Sequence, residues 1–169
     1  MFFVGIMAEN REFEIIKAEV EKRITNSKLN LIRIKSHNIE NMQNIKFDSI
    51  IIHQELSKLK EKLYYLEKIL HSAQYVILNM DLNENMDILE GKKGMVITYG
   101  LNQKSTVTVS SITEDMILIA LQRNVYNRKN KMIEVGEKKV AVQDGNKKVY
   151  EELIVFILDI IYGKKDIFE

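Results

Sequence analysis

Short apolar runs separated by polar and charged stretches dominate the first part of this chain. Five of these runs have the length and continuity of buried strands, and they cover 2–7, 29–34, 47–52, 75–78 and 95–98. After the first run, apolar residues recur at helical spacing among charged ones, at Phe13, Ile16, Val20 and Ile24. Strands that alternate with helices are typical of a parallel sheet with right-handed crossovers.

A leucine stripe follows the third apolar run. Its members are three or four residues apart and have charged neighbours, and they are Leu56, Leu59, Leu63, Leu66 and Leu70. This spacing places the leucines on one face of a helix. The stripe covers only about two heptads, so the pattern favours a helix that lies on the sheet over a free coiled coil.

The pattern changes between Gly94 and Ile112, where a buried strand, a tight turn and an alternating strand are predicted in succession. Beyond Leu101 the strand-like runs are separated by turn-prone residues, and they cover 106–112, 116–123 and 132–142. Closely spaced strands of this kind are typical of antiparallel hairpins. We therefore expect a parallel core to give way to an antiparallel region after residue 101.

The last predicted element is a helix of about fourteen residues that begins near Val149 and ends at Gly163, followed by Lys164 and Lys165. The helix is apolar on nearly every side, and such a helix is either buried within its own chain or covered by a partner. The sequence leaves both alternatives open. Under the second one, the self-association surface contains Phe156, Ile157, Ile160 and Ile161.

These elements predict one α/β domain over 1–169, with a mostly parallel, Rossmann-like or P-loop-like sheet flanked by helices and antiparallel hairpins after residue 101. Within it, 1–101 forms the parallel core, 102–143 the hairpins and 144–169 the C-terminal helix. The length of 169 residues and the apolar fraction of 46% suit one compact domain.

Charge and composition exclude several classes of protein. Twenty-five basic residues nearly balance 24 acidic ones, which argues against a nucleic-acid partner. The chain has no cysteine and thus no disulfide framework or thiolate nucleophile, and we expect a cytoplasmic location. No apolar run approaches the ~18 residues that a membrane span needs, so no membrane partner is predicted. The first apolar run is interpreted as a strand and not as a signal peptide.

One local segment, 123–131, places Tyr126 among basic residues, which are Arg123, Arg128, Lys129 and Lys131. Proteins that bind single-stranded nucleic acid interleave aromatic and basic residues in this way. A single hairpin tip does not make a groove, however, and the balanced total charge favours an ordinary soluble surface here.

From Phe47 onward the order of features resembles the central, nucleotide-binding domain of the Mur ligase family. The segment VITYGLNQKSTVTVSSI is similar to that family's strand, Tyr/Phe-Gly turn and following strand. The segment ILNMDLNENMDIL resembles the place where an Asn-x-Asp-Asp motif ends a strand near the nucleotide base. The resemblance implies a nucleotide-binding fold with candidate binding residues Asn79, Asp81, Tyr99 and Gly100.

These four residues would lie at the carboxyl ends of strands, where open α/β sheets bind ligands. The structural alternative is that Asn79 and Asp81 shape a turn and that Gly100 supplies a special backbone conformation. Both interpretations are open, and the structural one is favoured.

The chain departs from the family at the residues that hold phosphate and metal. At the first strand-to-helix junction, VGIMAENREFEII, Gly5 is the only glycine and no Lys-Ser/Thr pair follows it. Glu9 and Glu12 would place negative charge where phosphates bind. His53 lies near the position of the family's Asn, the Asp-His pair is missing, and Leu82 replaces a second Asp. Ligase activity of the family's kind is therefore not expected.

No other catalytic constellation is visible. The three histidines lie far apart in the sequence, and none is in a metal-binding pattern, so no metal ligand and no catalytic residue is predicted. The leading hypothesis is a non-catalytic Mur ligase-like domain that needs no cofactor and acts through a protein partner or a homo-oligomer. The alternative is a nucleotide or small-ligand sensor that uses Asn79, Asp81 and Tyr99.

Overall fold

A computed structural model describes residues 1–25, 28–83, 87–141, 148–163 and 168. Its strands are β1 (Phe2–Met7), β2 (Leu29–Arg33), β3 (Ser49–Ile52), β4 (Tyr75–Asn79), β5 (Met95–Tyr99), β6 (Val107–Ile112), β7 (Met116–Leu121), β8 (Val125–Tyr126), β9 (Met132–Ile133) and β10 (Gly136–Ala141). Its α-helices are α1 (Asn10–Arg23), α2 (Leu63–Ser72) and α3 (Val149–Tyr162). Short 3₁₀ helices cover Ser36–Met42, Leu56–Lys62 and Asp87–Leu89.

The predicted fold class is confirmed. Eight strands form a mostly parallel sheet in the order β10-β7-β6-β5-β4-β3-β1-β2, and β8 and β9 form a separate two-stranded antiparallel sheet. The chain divides into two compact units, one of Met1–Phe13 and Lys28–Thr98 and the other of Glu14–Ser27 and Tyr99–Glu169. The prediction of a single domain stays a prediction.

In the first unit, β1 lies between β2 and β3 and pairs with both of them in parallel. β3 continues the parallel pairing to β4. Every residue of β3 and β4 is buried, which explains why these strands are continuous apolar runs without alternation. The strands that the apolar runs predict are confirmed, with ends shifted by one or two residues.

The prediction of one helix over the leucine stripe is wrong. The stripe covers a 3₁₀ helix followed by α2, and within the 3₁₀ helix the backbone of Lys60 is non-helical, at φ 43° and ψ −114°. Leu56 and Leu59 are three apart, which aligns them on a 3₁₀ helix, whereas Leu66 and Leu70 are four apart on α2. All four are buried in one core cluster, and Leu63 packs against it. The break at Lys60 thus accommodates two different leucine spacings over one core.

In the second unit, the chain passes from parallel to antiparallel pairing as predicted. Tyr99, the last residue of β5, pairs in parallel with Val107, the first residue of β6. A connection between parallel strands usually needs a dozen or more residues. The seven residues 100–106 are enough here because the end of β5 pairs with the start of β6, so the chain does not have to return along the length of β5. β6, β7 and β10 then pair antiparallel.

The predicted strand at 132–142 is two strands, β9 and β10, and Val142 lies outside the described residues. β8 pairs with β9 and was not predicted as a strand of its own. Between β9 and β10, the backbone N–H of Val135 donates to Asn124 Oδ1 at 3.1 Å. Because the N–H of Val135 binds a side chain and not a neighbouring strand, β9 and β10 are two separate strands.

The predicted final helix is confirmed as α3, and the N–H of Gly163 donates to the carbonyl of Asp159 at its end. Lys164 and Lys165 lie outside the described residues. The four candidate interface residues are buried within their own chain, at 4% exposure for Phe156, 0% for Ile157 and 2% for Ile160 and Ile161. They are therefore core residues in this structure, and self-association stays a prediction without them. In the described part of the chain, no helix has the length and apolarity that crossing a membrane requires.

Candidate functional site

Two of the four predicted binding residues meet at the end of β4. Asn79 is 1% exposed, and its Oδ1 accepts a hydrogen bond from the backbone N–H of Asp81 at 2.9 Å. An Asn side chain that binds the backbone two residues later forms an Asx turn, which stabilises the chain reversal after a strand. Asn79 therefore has the turn-shaping role that the sequence offered as the structural alternative.

The amide of Asn79 also orients the ring of His53 at the end of β3. Its Nδ2 lies 3.3 Å from His53 Nδ1. Because Asn79 Oδ1 accepts from Asp81, its NH₂ group faces the ring, and Nδ1 acts as an acceptor. The ring proton of neutral His53 is then on Nε2, which lies 3.7 Å from Glu12 Oε1. The sequence singled out His53 but did not connect it with Glu12, because the two are 41 positions apart.

Asn83 is a buried polar residue that the sequence analysis did not single out. Its Oδ1 accepts from the N–H of Leu56 at 2.8 Å, and its Nδ2 donates to the carbonyls of Gln54 at 3.0 Å and Asn79 at 3.2 Å. These bonds join the segment after β3 to the segment after β4. The available signal was its place in the turn-rich DLNEN, which marks a loop but not the backbone groups that it binds.

The junction between β1 and α1 holds carboxylates where a phosphate loop would have backbone donors. Glu12 Oε2 accepts from the N–H of Glu9 at 3.0 Å, so the side chain of Glu12 caps the helix start. Arg33 donates to the carbonyl of Ala8 at 3.0 Å and to Asn10 Oδ1 at 3.1 Å. The N–H of Glu9 and the guanidinium of Arg33 are thus bonded to groups of the protein itself. The side chain of Glu9 remains largely exposed.

A groove of about 370 Å³ opens beside Asn83, and we call it the acidic groove. Its lining comprises Glu55, Leu56, Ser57, Leu63, Leu82, Asn83, Asp87 and Ile88. Among these lining residues there are two carboxylates and no Lys or Arg. The Ser57 hydroxyl, and then Lys58, hold the pKa of Glu55 below its usual value by binding its carboxylate. The groove therefore combines apolar lining residues with two carboxylates, of which Glu55 is paired with Lys58 at 3.1 Å.

Tyr99 and Gly100 belong to the second unit. Tyr99 is 0% exposed, so its ring has no free face on which a nucleotide base could stack. The N–H of Gly100 donates to the carbonyl of Val107 at 3.3 Å, which places Gly100 beside the start of β6. The structure thus brings Asn79 and Asp81 into contact and uses Tyr99 as a core residue.

The second unit also presents a hydrogen-bonded surface at residues 123–135, which we call the basic hairpin. Within it β8 pairs with β9, so that Val125 lies opposite Ile133 and Tyr126 lies opposite Met132. The first pair is buried, at 3% and 9% exposure, and the second is exposed, at 48% and 41%. Val135 adds a side chain that is 58% exposed. The hairpin therefore has an apolar outer face among basic residues.

Hydrogen bonds fix the tip of the basic hairpin. Asn127 Oδ1 accepts from the N–H of Lys129 at 2.9 Å and of Lys131 at 3.0 Å. Asn130 adopts φ 56°, a left-handed conformation that asparagine tolerates better than most residues. The N–H of Arg128 donates to the carbonyl of Ile161 at 3.2 Å and ties the tip to the end of α3. The sequence predicted a basic tip but not this tether.

No family model matches the chain, and no curated protein matches it. The resemblance to the Mur ligase family therefore stays a prediction. Within the described ranges, no group of three or more His, Asp or Glu side chains is placed to hold a metal ion.

Proposed function

We propose that this chain is a non-catalytic, Mur ligase-like domain that acts through protein contacts, in a scaffold or regulatory role. The observation that carries the proposal is the exposed apolar pair of the basic hairpin, Tyr126 and Met132, together with the exposed side chain of Val135. Exposed apolar residues scattered singly are normal on a protein surface, but here two of them form a cross-strand pair.

The composition and rigidity of the basic hairpin both suit a protein partner. Tyr, Met and Arg are enriched at the centres of protein interfaces, and the hairpin supplies all three with Tyr126, Met132 and Arg123. The bonds of Asn127 hold the tip in one conformation before binding. A preorganised surface loses less conformational entropy on association, so more of the contact energy becomes affinity.

A single-stranded nucleic acid suits the same surface less well. Such ligands stack successive bases on successive aromatic rings, and Tyr126 is the only aromatic residue of the hairpin. Met132 and Val135 offer apolar area without an aromatic face. The proposal therefore commits to a protein partner.

Site-specific photo-crosslinking in the native host tests the proposal. We expect a photoreactive phenylalanine at Tyr126 to give a discrete adduct with one protein, identified by mass spectrometry. The matched control is the same replacement at Tyr64, which is 59% exposed and lies in the other unit. Equal labelling from both positions, or no adduct from Tyr126, contradicts a specific contact through the hairpin.

The acidic groove favours a second candidate function, the binding of a small ligand. Its volume of about 370 Å³ lies in the range of small-molecule sites, and it opens after β3 and β4, where α/β sheets bind ligands. Because none of the described lining residues is a cation, a neutral nucleoside should bind in preference to a triphosphate.

For this candidate we expect a saturating concentration of adenosine to raise the melting temperature by a few degrees, and ATP to leave it unchanged. A thermal-shift scan measures both. Leu82→Arg, which places a bulky cation in the groove, should remove the response to adenosine, whereas Leu101→Arg, at a leucine 51% exposed outside the groove, should keep it. An unchanged melting temperature with both ligands argues against the sensor function.

A further inference from the structure

One segment of the chain contains only acidic charged residues, and another contains only basic ones. Residues 81–90, DLNENMDILE, contain four acidic residues and no basic one. Residues 123–131, RNVYNRKNK, contain four basic residues and no acidic one. The first segment supplies four lining residues of the acidic groove, Leu82, Asn83, Asp87 and Ile88. The second is the tip of the basic hairpin.

Each of these surfaces has an apolar centre. In the acidic groove the apolar lining comes from Leu56, Leu63, Leu82 and Ile88. On the basic hairpin, Tyr126 and Met132 project side by side from opposite strands. One surface is a groove with two carboxylates in its lining, and the other is a two-stranded hairpin with exposed apolar side chains among basic residues, so that polarity and charge are complementary.

We propose that the basic hairpin of one copy of this chain docks in the acidic groove of a second copy. The inference rests on the proposed function and names the partner as the chain itself. The contact places Tyr126 and Met132 against the apolar lining, with Lys129 and Lys131 near the carboxylates of the groove. It is heterologous, because the two surfaces in contact are different, and each pair leaves one groove and one hairpin unoccupied. Association of this kind continues into a ring or an open chain.

Charges of the other sign at each surface moderate this attraction. Lys58 lies 3.1 Å from Glu55 at the groove, and Glu134 lies within the hairpin. The acidic segment also contains Asp81 and Glu90, both exposed, outside the lining of the groove. The contact is therefore electrostatically favourable and sensitive to salt, because exposed charges are screened over about 8 Å at physiological ionic strength.

Two charge-reversal variants test the contact. The hairpin variant is Lys129→Glu with Lys131→Glu, which alters exposed side chains while the backbone N–H groups that Asn127 binds remain. The groove variant is Glu55→Lys with Asp87→Lys. Their matched controls are Lys17→Glu with Lys22→Glu and Glu14→Lys with Glu21→Lys, four exposed positions on α1. Circular dichroism first establishes that every variant is folded.

Light scattering of the purified full chain provides the measurement. We expect the wild-type chain and both controls to exceed the monomer mass of 19.8 kDa at about 50 mM salt, and to approach it at about 500 mM. Each charge-reversal variant by itself should remain monomeric, with self-association weakened at least about a hundredfold. An equimolar mixture of the two should associate again and exceed the monomer mass, because the native hairpin of the groove variant meets the native groove of the hairpin variant.

The proposal is overturned if the wild-type chain is monomeric, if either reversal variant still self-associates, or if the mixture stays monomeric. These failures are distinguishable from failure of the proposed function. A monomeric chain whose Tyr126 position crosslinks to another protein overturns self-docking and supports contact through the hairpin. A monomeric chain with no adduct at Tyr126 overturns both.

Discussion

Replacing Ile157 with aspartate should abolish folding of the second unit and leave no native oligomer to examine. Ile157 is 0% exposed in the middle of α3, and both neighbours in the chain, Phe156 and Leu158, are buried as well. A carboxylate there loses its hydration without gaining a partner, in addition to the loss of apolar packing. We expect a cost above about 4 kcal/mol, which is a large fraction of the 5–15 kcal/mol that typically stabilises a domain.

Circular dichroism and urea titration measure this effect. The matched control is Leu101→Asp, which introduces the same charge at a residue that is 51% exposed in the same unit. We expect the control to keep the native spectrum and to change stability by less than about 0.5 kcal/mol. An Ile157→Asp protein with a native spectrum and a smaller mass in solution would show instead that α3 is an interface helix.

Replacing Gly5 with alanine should destabilise the first unit by about 1–3 kcal/mol. Gly5 lies in the middle of β1, where a Cβ atom would come within 2.5 Å of Ile34 Cδ1, 2.7 Å of Ile50 Cδ1 and 3.1 Å of Phe47 Cε1. These neighbours are buried core residues that have little room to move. The urea midpoint, measured with the slope unchanged, reports the loss.

Double-mutant analysis identifies the steric cause. Ile34→Val removes the Cδ1 atom nearest to the new methyl group, so in the Gly5→Ala background it should cost less than the 0.5–1.5 kcal/mol typical of this truncation. Additive effects of the two substitutions would contradict overpacking. The glycine is then required for close packing, which differs from the role of glycines in a phosphate-binding loop.

Local periodicity predicted most of the secondary structure, and long-range contacts explain where it did not. The stripe of leucines correctly indicated a buried face, but a periodic pattern does not show a backbone break such as the one at Lys60. β8 is two residues long, too short for any period to be visible, and it exists because Val125 and Tyr126 pair with Ile133 and Met132. This pairing depends on the turn at Asn127, which brings β9 alongside β8.

The candidate site was predicted only in part. Asn79 and Asp81 were recognised as residues after a strand, and a turn was one of their two open roles. The contact of Asn79 with His53 could not be read from its neighbours, because His53 lies at the end of a different strand, 26 positions away in the sequence. Asn83 was overlooked since an Asn in a turn-rich loop carries no sign of the three backbone groups that it binds.

The sequence by itself determined the α/β class, the succession of the main strands along the chain and the change to antiparallel pairing after residue 101. The reason is that the spacing of apolar residues within a segment indicates which side of that helix or strand faces the core, and this spacing can be seen without knowing any distant contact. Only the tertiary structure decided that α3 is covered by its own chain, since an all-apolar helix looks the same whether its cover is internal or a partner. It likewise decided that Tyr99 is core and that Tyr126 is surface, because burial depends on which distant segments fold over each ring.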